Sequence, residues 1–551
     1  MLGLMQHHPL LISSLIEHAA SVHSESEIVS RTLDGTIHRC TYADIRRRAA
    51  QVANLLAALG VAPGECVGTL AWNGYRHLEL FFGVSGSGVV LHTINPRLFP
   101  EQLEYIINHA GDRVLFFDVC FAPLVEKLAP RLKTVRQFVA LSDRGQLPQC
   151  RVPHLYCHED LLAEQDGGYE WPDLDENSAS SLCYTSGTTG NPKGVLYTHR
   201  STLLHSMSSC SVDALGLSAV DSVLVVAPLF HVNAWGIPYS AALCGAKLVL
   251  PGPMLDGVSL YQLLGDERVT VALGVPTVWL TLMQYVQSQS LRPKEDGLCL
   301  QRIVSGGTCV PRSMIESYQN LFGARVIHAW GMTETSPIGT VCHPLRKHQG
   351  SSAGQQADLQ AKQGRPVFGV RLRIVDSEGT PVPHDGKTAG HLLVRGHWIT
   401  SGYFRDERGS NLSSDGWFDT GDIGTLDPDG YLQITDRAKD VIKSGGEWIS
   451  SIELENAAMG HPAVAEAAAI GLPHPVWQER PLLIVVKHPG REVTRDELLT
   501  YLAARVIKWW LPNDIEFVAE LPHTGTGKVH KKTLREIYKD RRFEVVQKDG
   551  R

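Results

Sequence analysis

The sequence predicts an α/β fold, and three patterns carry that prediction. Short β-rich runs closed by Pro or Gly, namely Val223 to Val226, Lys247 to Leu250 and Val269 to Leu273, alternate with helical stretches such as Val278 to Val286. Thr41-Tyr42-Ala43-Asp44 offers a capping hydroxyl with a carboxylate three residues on, after which Ile45, Ala49, Val52, Leu55, Leu56 and Leu59 recur at helical spacing until Gly60. Val370 to Val375 instead intersperses Arg371 and Arg373 among Val, Leu and Ile, as an antiparallel strand with one solvated face does, and His391 to Arg395 is its expected partner.

The texture changes beyond about Asp436. Charged, glycine-rich Asp436 to Glu447 precedes a compact unit with a helix over Ser451 to Met459, a strand over Leu482 to Val486 and a helix over Thr494 to Trp509. We expect a large portion over residues 1–435, a hinge at 436–440 centred on Lys439, and a smaller unit over 441–551. No internal repeat is evident.

At 551 residues the chain has room for three or four domains of the usual ~150 residues. Charged residues make up 20% and apolar ones 43%, a globular balance. Net charge is 51 minus 58, or -7, and no Lys/Arg run is long enough to follow a nucleic acid backbone, which argues against such a partner. The 11 cysteines include no C-x-x-C pair, so neither a zinc site nor a disulfide framework is expected, and reduced thiols in the cytoplasm are. The apolar run Leu10 to Ile16 lacks a basic lead-in, and no stretch reaches the ~18 apolar residues of a membrane span.

Chemistry concentrates in Tyr184-Thr185-Ser186-Gly187-Thr188-Thr189-Gly190-Asn191-Pro192-Lys193-Gly194. Glycine lets backbone N–H groups turn toward an anion, Ser and Thr add donors, and Lys193 adds a fixed cation, so the loop suits a polyphosphate such as that of ATP. It is not a Walker A loop, because Pro192 precedes the lysine and Gly194 stands where the magnesium-binding Ser/Thr belongs.

Further motifs complement it. In His328-Ala329-Trp330-Gly331-Met332-Thr333-Glu334-Thr335 an aromatic-Gly step brings a ring and bare backbone toward a flat ligand, and Glu334 offers a carboxylate. Asp422, in Gly416 to Asp422, can accept from both hydroxyls of a ribose, and Arg437 can donate to the same sugar; an Asp in a glycine turn also commonly closes that turn. Lys443-Ser444-Gly445-Gly446-Glu447-Trp448 has a glycine pair that admits another molecule close to the backbone, or forms a hairpin turn. Lys528 sits on the glycine-rich run Thr524-Gly525-Thr526-Gly527, from which a lysine can be delivered to a site.

Together, in this order and spacing, these motifs closely resemble the adenylate-forming superfamily of acyl-CoA synthetases, luciferases and nonribosomal adenylation domains, over nearly the whole chain. The resemblance implies a large multi-subdomain N-terminal portion of layered sheets and helices, and a small mobile α+β domain rotating about Lys439. It implies two half-reactions: an acid carboxylate displaces pyrophosphate from ATP, and a thiol then displaces AMP. Ser186, Gly187, Thr188, Thr189, Gly190 and Lys193 would hold the β and γ phosphates. Thr185 and Glu334 would lie near Mg2+, and Gly307, Thr308, His328, Ala329 and Trp330 would line the adenine site. Thr333 would meet the α-phosphate, and Asp422 and Arg437 the ribose. Lys528 would be the catalytic lysine of the first step, and Lys443 to Trp448, with Gly445 and Gly446, would attend the thiol of coenzyme A in the second.

The run Ala227-Pro228-Leu229-Phe230-His231-Val232-Asn233-Ala234-Trp235 resembles the segment that fatty-acid-activating members place beside the acyl tunnel. There His231 would flank the carboxylate and Trp235 would gate the tunnel, with Gly306 and Gly331 beside acyl or CoA groups. Amino-acid-activating relatives carry Asp after the Phe, so His231 argues against an amino acid. Plain packing of His231 and Trp235, at i and i+4 on one helix face, is the alternative. Leu70 to Tyr75 and His92 to Leu98 are similar to bacterial medium- and long-chain fatty-acid CoA ligases and to ligases of 3-(methylthio)propanoate. A medium- to long-chain fatty acid is the expected substrate, with the short thioether acid or another short-chain acid second. Free CoA is the expected acceptor, since no carrier-protein domain follows. An enzyme loading a carrier protein and an inactive ATP-binding protein are the rival readings, and a homodimer is the expected assembly.

Overall fold

The computed structural model describes residues 1, 3–185, 191–406, 412–444, 447–523 and 529–543. Sheets of nine, seven, four and five strands organise them, with helices between and around, as the α/β prediction requires.

The nine-stranded sheet runs in the order Arg365–Pro366, Ile338–Val341, Arg325–Gly331, Arg302–Gly306, Val271–Gly274, Ser222–Val225, Lys247–Leu250, Glu27–Arg31, Ile37–Thr41. The strands from Arg325–Gly331 to Glu27–Arg31 are parallel. Most are covered on both faces, which is why they read as short unbroken apolar runs. The strand expected at Val269 begins at Val271, because Val269 still bonds back to Leu264 at the end of the preceding helix and Arg268 turns the chain at φ 49°.

The seven-stranded sheet has the order Leu155–Cys157, Gln137–Leu141, Val114–Asp118, Cys66–Leu70, Val90–Thr93, Ala179–Tyr184, Gly194–Thr198, parallel except for the last strand. Helices Ile12–Val22, Tyr42–Ala58, Tyr75–Gly86, His199–Cys210 and Ile237–Cys244 pack on one another. They share one apolar cluster with Val67, Leu91 and Phe116 of this sheet and Val223, Leu248 and Leu273 of the other, forming a sheet–helix–sheet sandwich. Tyr42–Ala58 starts on the expected cap, with the Thr41 hydroxyl accepting from the Asp44 amide at 3.3 Å and the Asp44 carboxylate accepting from the Thr41 amide at 3.1 Å. Tyr75–Gly86 is buried along almost its whole length, so its sequence carries no polar stripe.

Val370–Val375 forms as expected in the four-stranded antiparallel sheet, pairing Val375 with His391 and Arg371 with Arg395. Phe418–Leu426 and Leu432–Arg437 complete that sheet. The five-stranded sheet is built from Ile442–Ser444, Glu447–Ile449, Val464–His474, Gln478–Lys487 and Asp514–Val518. It has its own core, including Ile442, Leu454, Leu483 and Leu498 under helices Ser451–Met459 and Arg495–Ala503.

One helix is shorter than its sequence implies: the segment expected to run to Trp509 stops at Ala503, and Lys508–Trp510 forms a separate 3-10 turn. Buried Arg480 donates to the carbonyls of Trp509 (2.8 Å) and Leu511 (2.9 Å) and lies 4.8 Å from the Trp509 ring centre. Those contacts redirect the chain, and the β-branched Val506-Ile507 pair offers little helical resistance. Among the described residues no helix is long and apolar enough to cross a membrane.

Candidate active site

The phosphate-type loop joins two antiparallel strands, Ala179–Tyr184 and Gly194–Thr198, whose last register pair is Tyr184 with Gly194. The Thr185 amide donates to the Lys193 carbonyl (2.9 Å), and the Lys193 amide donates to Thr185 Oγ1 (3.3 Å), so these two residues close the loop's base. Ser186, Gly187, Thr188, Thr189 and Gly190 lie outside the described residues, as do Gly445, Gly446 and Lys528. The base stands at the carboxyl end of a strand parallel to Val90–Thr93, the edge at which α/β sheets bind ligands.

Lys193 Nζ lies 4.4 Å from the ring centre of Tyr403, and the Tyr403 hydroxyl donates to Glu334 Oε1 at 2.8 Å. Backbone bonds fasten the same segment on both sides, from the Phe404 amide to the Gly194 carbonyl (2.8 Å) and from the Thr400 amide to the Glu334 carbonyl (2.9 Å). Tyr403 therefore ties the loop's cation to the candidate metal carboxylate. Sequence reading missed it, because its partner is 69 residues away and the local signal is no more than the Gly402-Tyr403-Phe404 step.

Glu334 sits in the 3-10 turn Thr333–Thr335 and is 6% exposed. Burial holds its carboxyl above the ordinary carboxylate range, outweighing the Tyr403 hydrogen bond. The Tyr403 phenol is pushed up in turn by its own burial and by Glu334. Thr185 and Glu334 offer oxygen donors of the kind magnesium accepts beside phosphate oxygens. Among the described residues no three His, Cys, Asp or Glu cluster into a metal cage.

A second group forms where the nine-stranded sheet meets the four-stranded one. Trp330 Nε1 donates to Asp422 Oδ2 (2.9 Å) and Arg437 Nε pairs with Asp422 Oδ1 (2.7 Å). Asp422 and Arg437 face each other in register across Phe418–Leu426 and Leu432–Arg437. Two residues, Trp330 and Arg437, thus converge on the buried Asp422 carboxylate. Gly306 pairs with Ala329 at the carboxyl ends of adjacent parallel strands, and Gly307 then turns at φ 84° ahead of Thr308. The Thr333 carbonyl is held by the Tyr197 hydroxyl at 2.8 Å. His328 is buried with Nδ1 3.0 Å from the Ala361 carbonyl, and burial lowers its imidazole to about 4, so it is a neutral anchor of its strand.

The right-handed helix face offered for His231 and Trp235 does not form. Val232, Asn233, Ala234 and Trp235 take φ of 42°, 54°, 50° and 59°, and Gly236 takes 74°, which makes a left-handed turn. Each L-residue there costs about 1–2 kcal/mol, so neighbours must impose it. Asn233 Nδ2 donates to Ser181 Oγ at 2.9 Å, and the Trp235 indole is buried in the core between the two large sheets. His231 stands half-buried at the start of the turn.

Lys443 and Trp448 are register partners in a hairpin of the five-stranded sheet. Lys443 is exposed, and the Trp448 ring meets His391 of the four-stranded sheet edge-on at 6.2 Å. Lys439, between the two sheets, is exposed, and its neighbour Asp440 pairs with Arg535 at 2.6 Å.

Residues 16–404 match the AMP-binding enzyme family, and residues 453–528 match the AMP-binding enzyme C-terminal domain. This chain belongs to the AMP-binding enzyme family. It is 52% identical over 540 residues to a 3-methylmercaptopropionyl-CoA ligase of Ruegeria pomeroyi, covering 98% of this chain and 99% of that one. It is 50% identical to a medium-chain-fatty-acid–CoA ligase of Ectopseudomonas oleovorans, covering 98% of both. The fold also superposes on an anthranilate CoA ligase bound to anthranoyl-AMP, with a TM-score of 0.86 at 27% identity over 97% of this chain and 98% of that one. In this AMP-binding enzyme the strand and turn that run from Trp330 to Glu334 supply one member to each residue group, Trp330 to Trp330–Asp422–Arg437 and Glu334 to Lys193–Tyr403–Glu334.

Proposed function

We propose that the chain is an AMP-forming acyl-CoA ligase. A carboxylate oxygen attacks the α-phosphorus of ATP, the bond to the bridging oxygen breaks, and pyrophosphate leaves with the electron pair. The thiolate of CoA then attacks the acyl carbon, and AMP leaves. The observation that carries this reading is the joining of the loop cation to the Glu334 carboxylate through Tyr403, beside a carboxylate gripped by Trp330 and Arg437. Relatives about half identical over nearly the whole chain are CoA ligases, which supports it.

In this reading Ser186, Thr188, Thr189 and Lys193 hold the departing phosphates, and Gly187 and Gly190 let the loop backbone approach them. Gly307, Thr308, Ala329 and Trp330 border the adenine, with His328 behind the strand, and Thr333 meets the α-phosphate. Asp422 keeps lone pairs free for ribose hydroxyls while Trp330 and Arg437 hold it in place. Magnesium held by Glu334, Thr185 and phosphate oxygens supplies charge neutralisation. Fixed cations, Lys193 and Lys528 among them, stabilise charge that grows on phosphoryl oxygens. Residues 441–551 then turn about Lys439 relative to 1–435, withdrawing Lys528 and bringing Lys443, Gly445, Gly446 and Trp448 to the adenylate. His231 flanks the acid carboxylate, Trp235 gates its tail, and Gly306 and Gly331 let backbone lie close beside the acyl and CoA groups. The free cysteines of the described residues suit the cytoplasm, and a homodimer is the assembly to test by light scattering.

The acid is a medium- to long-chain fatty acid or a short thioether acid, since relatives bear both names. A panel of straight-chain acids from three to sixteen carbons, with 3-(methylthio)propanoate, assayed for AMP formation with CoA, tests the reading. AMP formation from at least one acid is expected. None from any acid favours an inactive ATP-binding protein, and AMP release that needs a carrier protein favours the loading enzyme.

The elevated pKa of Glu334 makes a further expectation. Without metal the folded chain favours the protonated carboxyl, which penalises the folded, ionised form as pH rises from the ordinary value of 4.5 through the raised one. A bound cation reverses that preference and releases the proton. Affinity for Mg-ATP should therefore rise with pH through that window, by up to about tenfold per unit. Titration calorimetry should find Glu334→Gln weaker and without that slope.

A further inference from the structure

Two cysteines that the proposed chemistry leaves unused stand at the packed ends of neighbouring helices. Cys210 closes His199–Cys210 and Cys244 closes Ile237–Cys244, and the two helices lie against one another between the large sheets. The Cys210 thiol donates to the Ser240 carbonyl at 3.4 Å, and the Cys244 thiol to the neighbouring Ala241 carbonyl at 3.8 Å. A helical side chain leans back over the turn before it, so both sulfurs sit over one turn of Ile237–Cys244. There the thiols meet, with the Cys210 S–H shared between the Ser240 carbonyl and the Cys244 sulfur.

Neighbours fix both ends of the second helix. Gly245 turns at φ 71° against the His23 ring, where a Cβ would lie 2.1 Å from it, and the Tyr42 hydroxyl donates to the Ala246 carbonyl at 2.8 Å. At the opposite end Gly236 lies against the His205 ring of the first helix, where a Cβ would come within 2.8 Å. Helices held in this way keep the two sulfurs together. Both cysteines are half-buried rather than sealed. The shared proton favours the thiolate at Cys244 and disfavours it at Cys210. Thiolate, not thiol, attacks a disulfide, so Cys244 is the first nucleophile and Cys210 the resolving thiol.

We propose that Cys210 and Cys244 are a reversible modification site, at which exchange with a low-molecular-weight disulfide closes a bond between the two helices. The Cys244 thiolate attacks one sulfur of the small disulfide, whose S–S bond breaks, and one small thiol leaves with the electron pair and takes up the proton. Cys210 then loses its proton and attacks the Cys244 sulfur of the mixed disulfide, expelling the second small thiol. Two protein thiols are oxidised to one disulfide, and the small disulfide is reduced to two thiols. Ile237–Cys244 leaves the left-handed turn that carries Trp235, so the bond staples the mounting of that turn to His199–Cys210.

The test incubates the folded protein with 2-hydroxyethyl disulfide, alkylates the remaining thiols and maps peptides by mass spectrometry without reduction. The peptides holding Cys210 and Cys244 should be found linked, lighter by two hydrogens than their sum, and dithiothreitol should separate them. Cys210→Ser should stop at a stable mixed disulfide on Cys244. The oxidised wild type should unfold a few °C higher, and amides in the last turns of both helices should exchange more slowly, whereas Cys244→Ser treated alike shows neither change. Two thiols that stay alkylatable, separate adducts on both cysteines, or a link that forms only after unfolding in urea overturns the proposal, as does a linked pair with unaltered Tm and amide exchange. If a variant fails to fold, the wild-type map decides by itself. None of these readouts uses an acid substrate, so the result stands apart from the ligase reading.

Discussion

Lys528→Ala is expected to slow formation of the acyl-adenylate by on the order of 10² to 10³ or more, while thioester formation from preformed adenylate keeps its wild-type rate. The first step moves negative charge onto phosphoryl oxygens as pyrophosphate departs, and a lysine bridging carboxylate and α-phosphate stabilises that charge where water is excluded. In the proposed mechanism the second step breaks an acyl–phosphate bond after residues 441–551 have turned, so the same lysine would contribute little. Lys528 itself lies outside the described residues; His523 and Val529, on either side of residues 524–528, pair antiparallel. Pyrophosphate exchange reads the first half-reaction, and acyl transfer from synthetic adenylate to CoA reads the second. An equal fall in both would remove Lys528 from its role as a first-step lysine.

Gly331→Ala should lower adenylation by about 10² or more and also destabilise the fold, by about 1–3 kcal/mol. A Cβ at this position would lie 1.7 Å from the Pro337 carbonyl oxygen and 2.6 Å from its carbon, so backbone has to move. On one side the strand ends in Trp330, which grips Asp422, and on the other begins the turn that presents Thr333 and Glu334. The Met332 amide, bonded to Thr335 Oγ1 at 2.9 Å, carries any displacement straight into that turn. A shift near 1 Å is enough to misalign reacting groups. Thermal unfolding and steady-state adenylation check the two halves, and a variant with near wild-type rate and Tm would mean the loop after Gly331 yields freely.

Much of the fold was legible because its signals are local. The Thr41 to Asp44 cap, the apolar strand at Lys247 to Leu250 and the strand at Val370 to Val375 each depend on neighbours within a few residues, and each formed as read, while the strand read from Val269 begins two residues later. The helix expected through Trp509 stops at Ala503, and the path taken after it was not legible, because a distant arginine, Arg480, holds the carbonyls of Trp509 and Leu511. The turn at Val232 to Trp235 failed for a similar reason. Its spacing suits a right-handed helix, and partners such as Ser181 help hold it left-handed.

The candidate site divides along the same line. The sequence by itself determined the residue types, an ATP-suited loop with Lys193, a carboxylate at Glu334, and Asp422 with Arg437, since loop chemistry is written in consecutive residues. Only the tertiary structure decided that Tyr403 joins Lys193 to Glu334 and that Trp330 and Arg437 grip the same carboxylate. Those relations depend on which strand ends the sheets bring together, and strand order is set by packing across the whole chain rather than by any window of it.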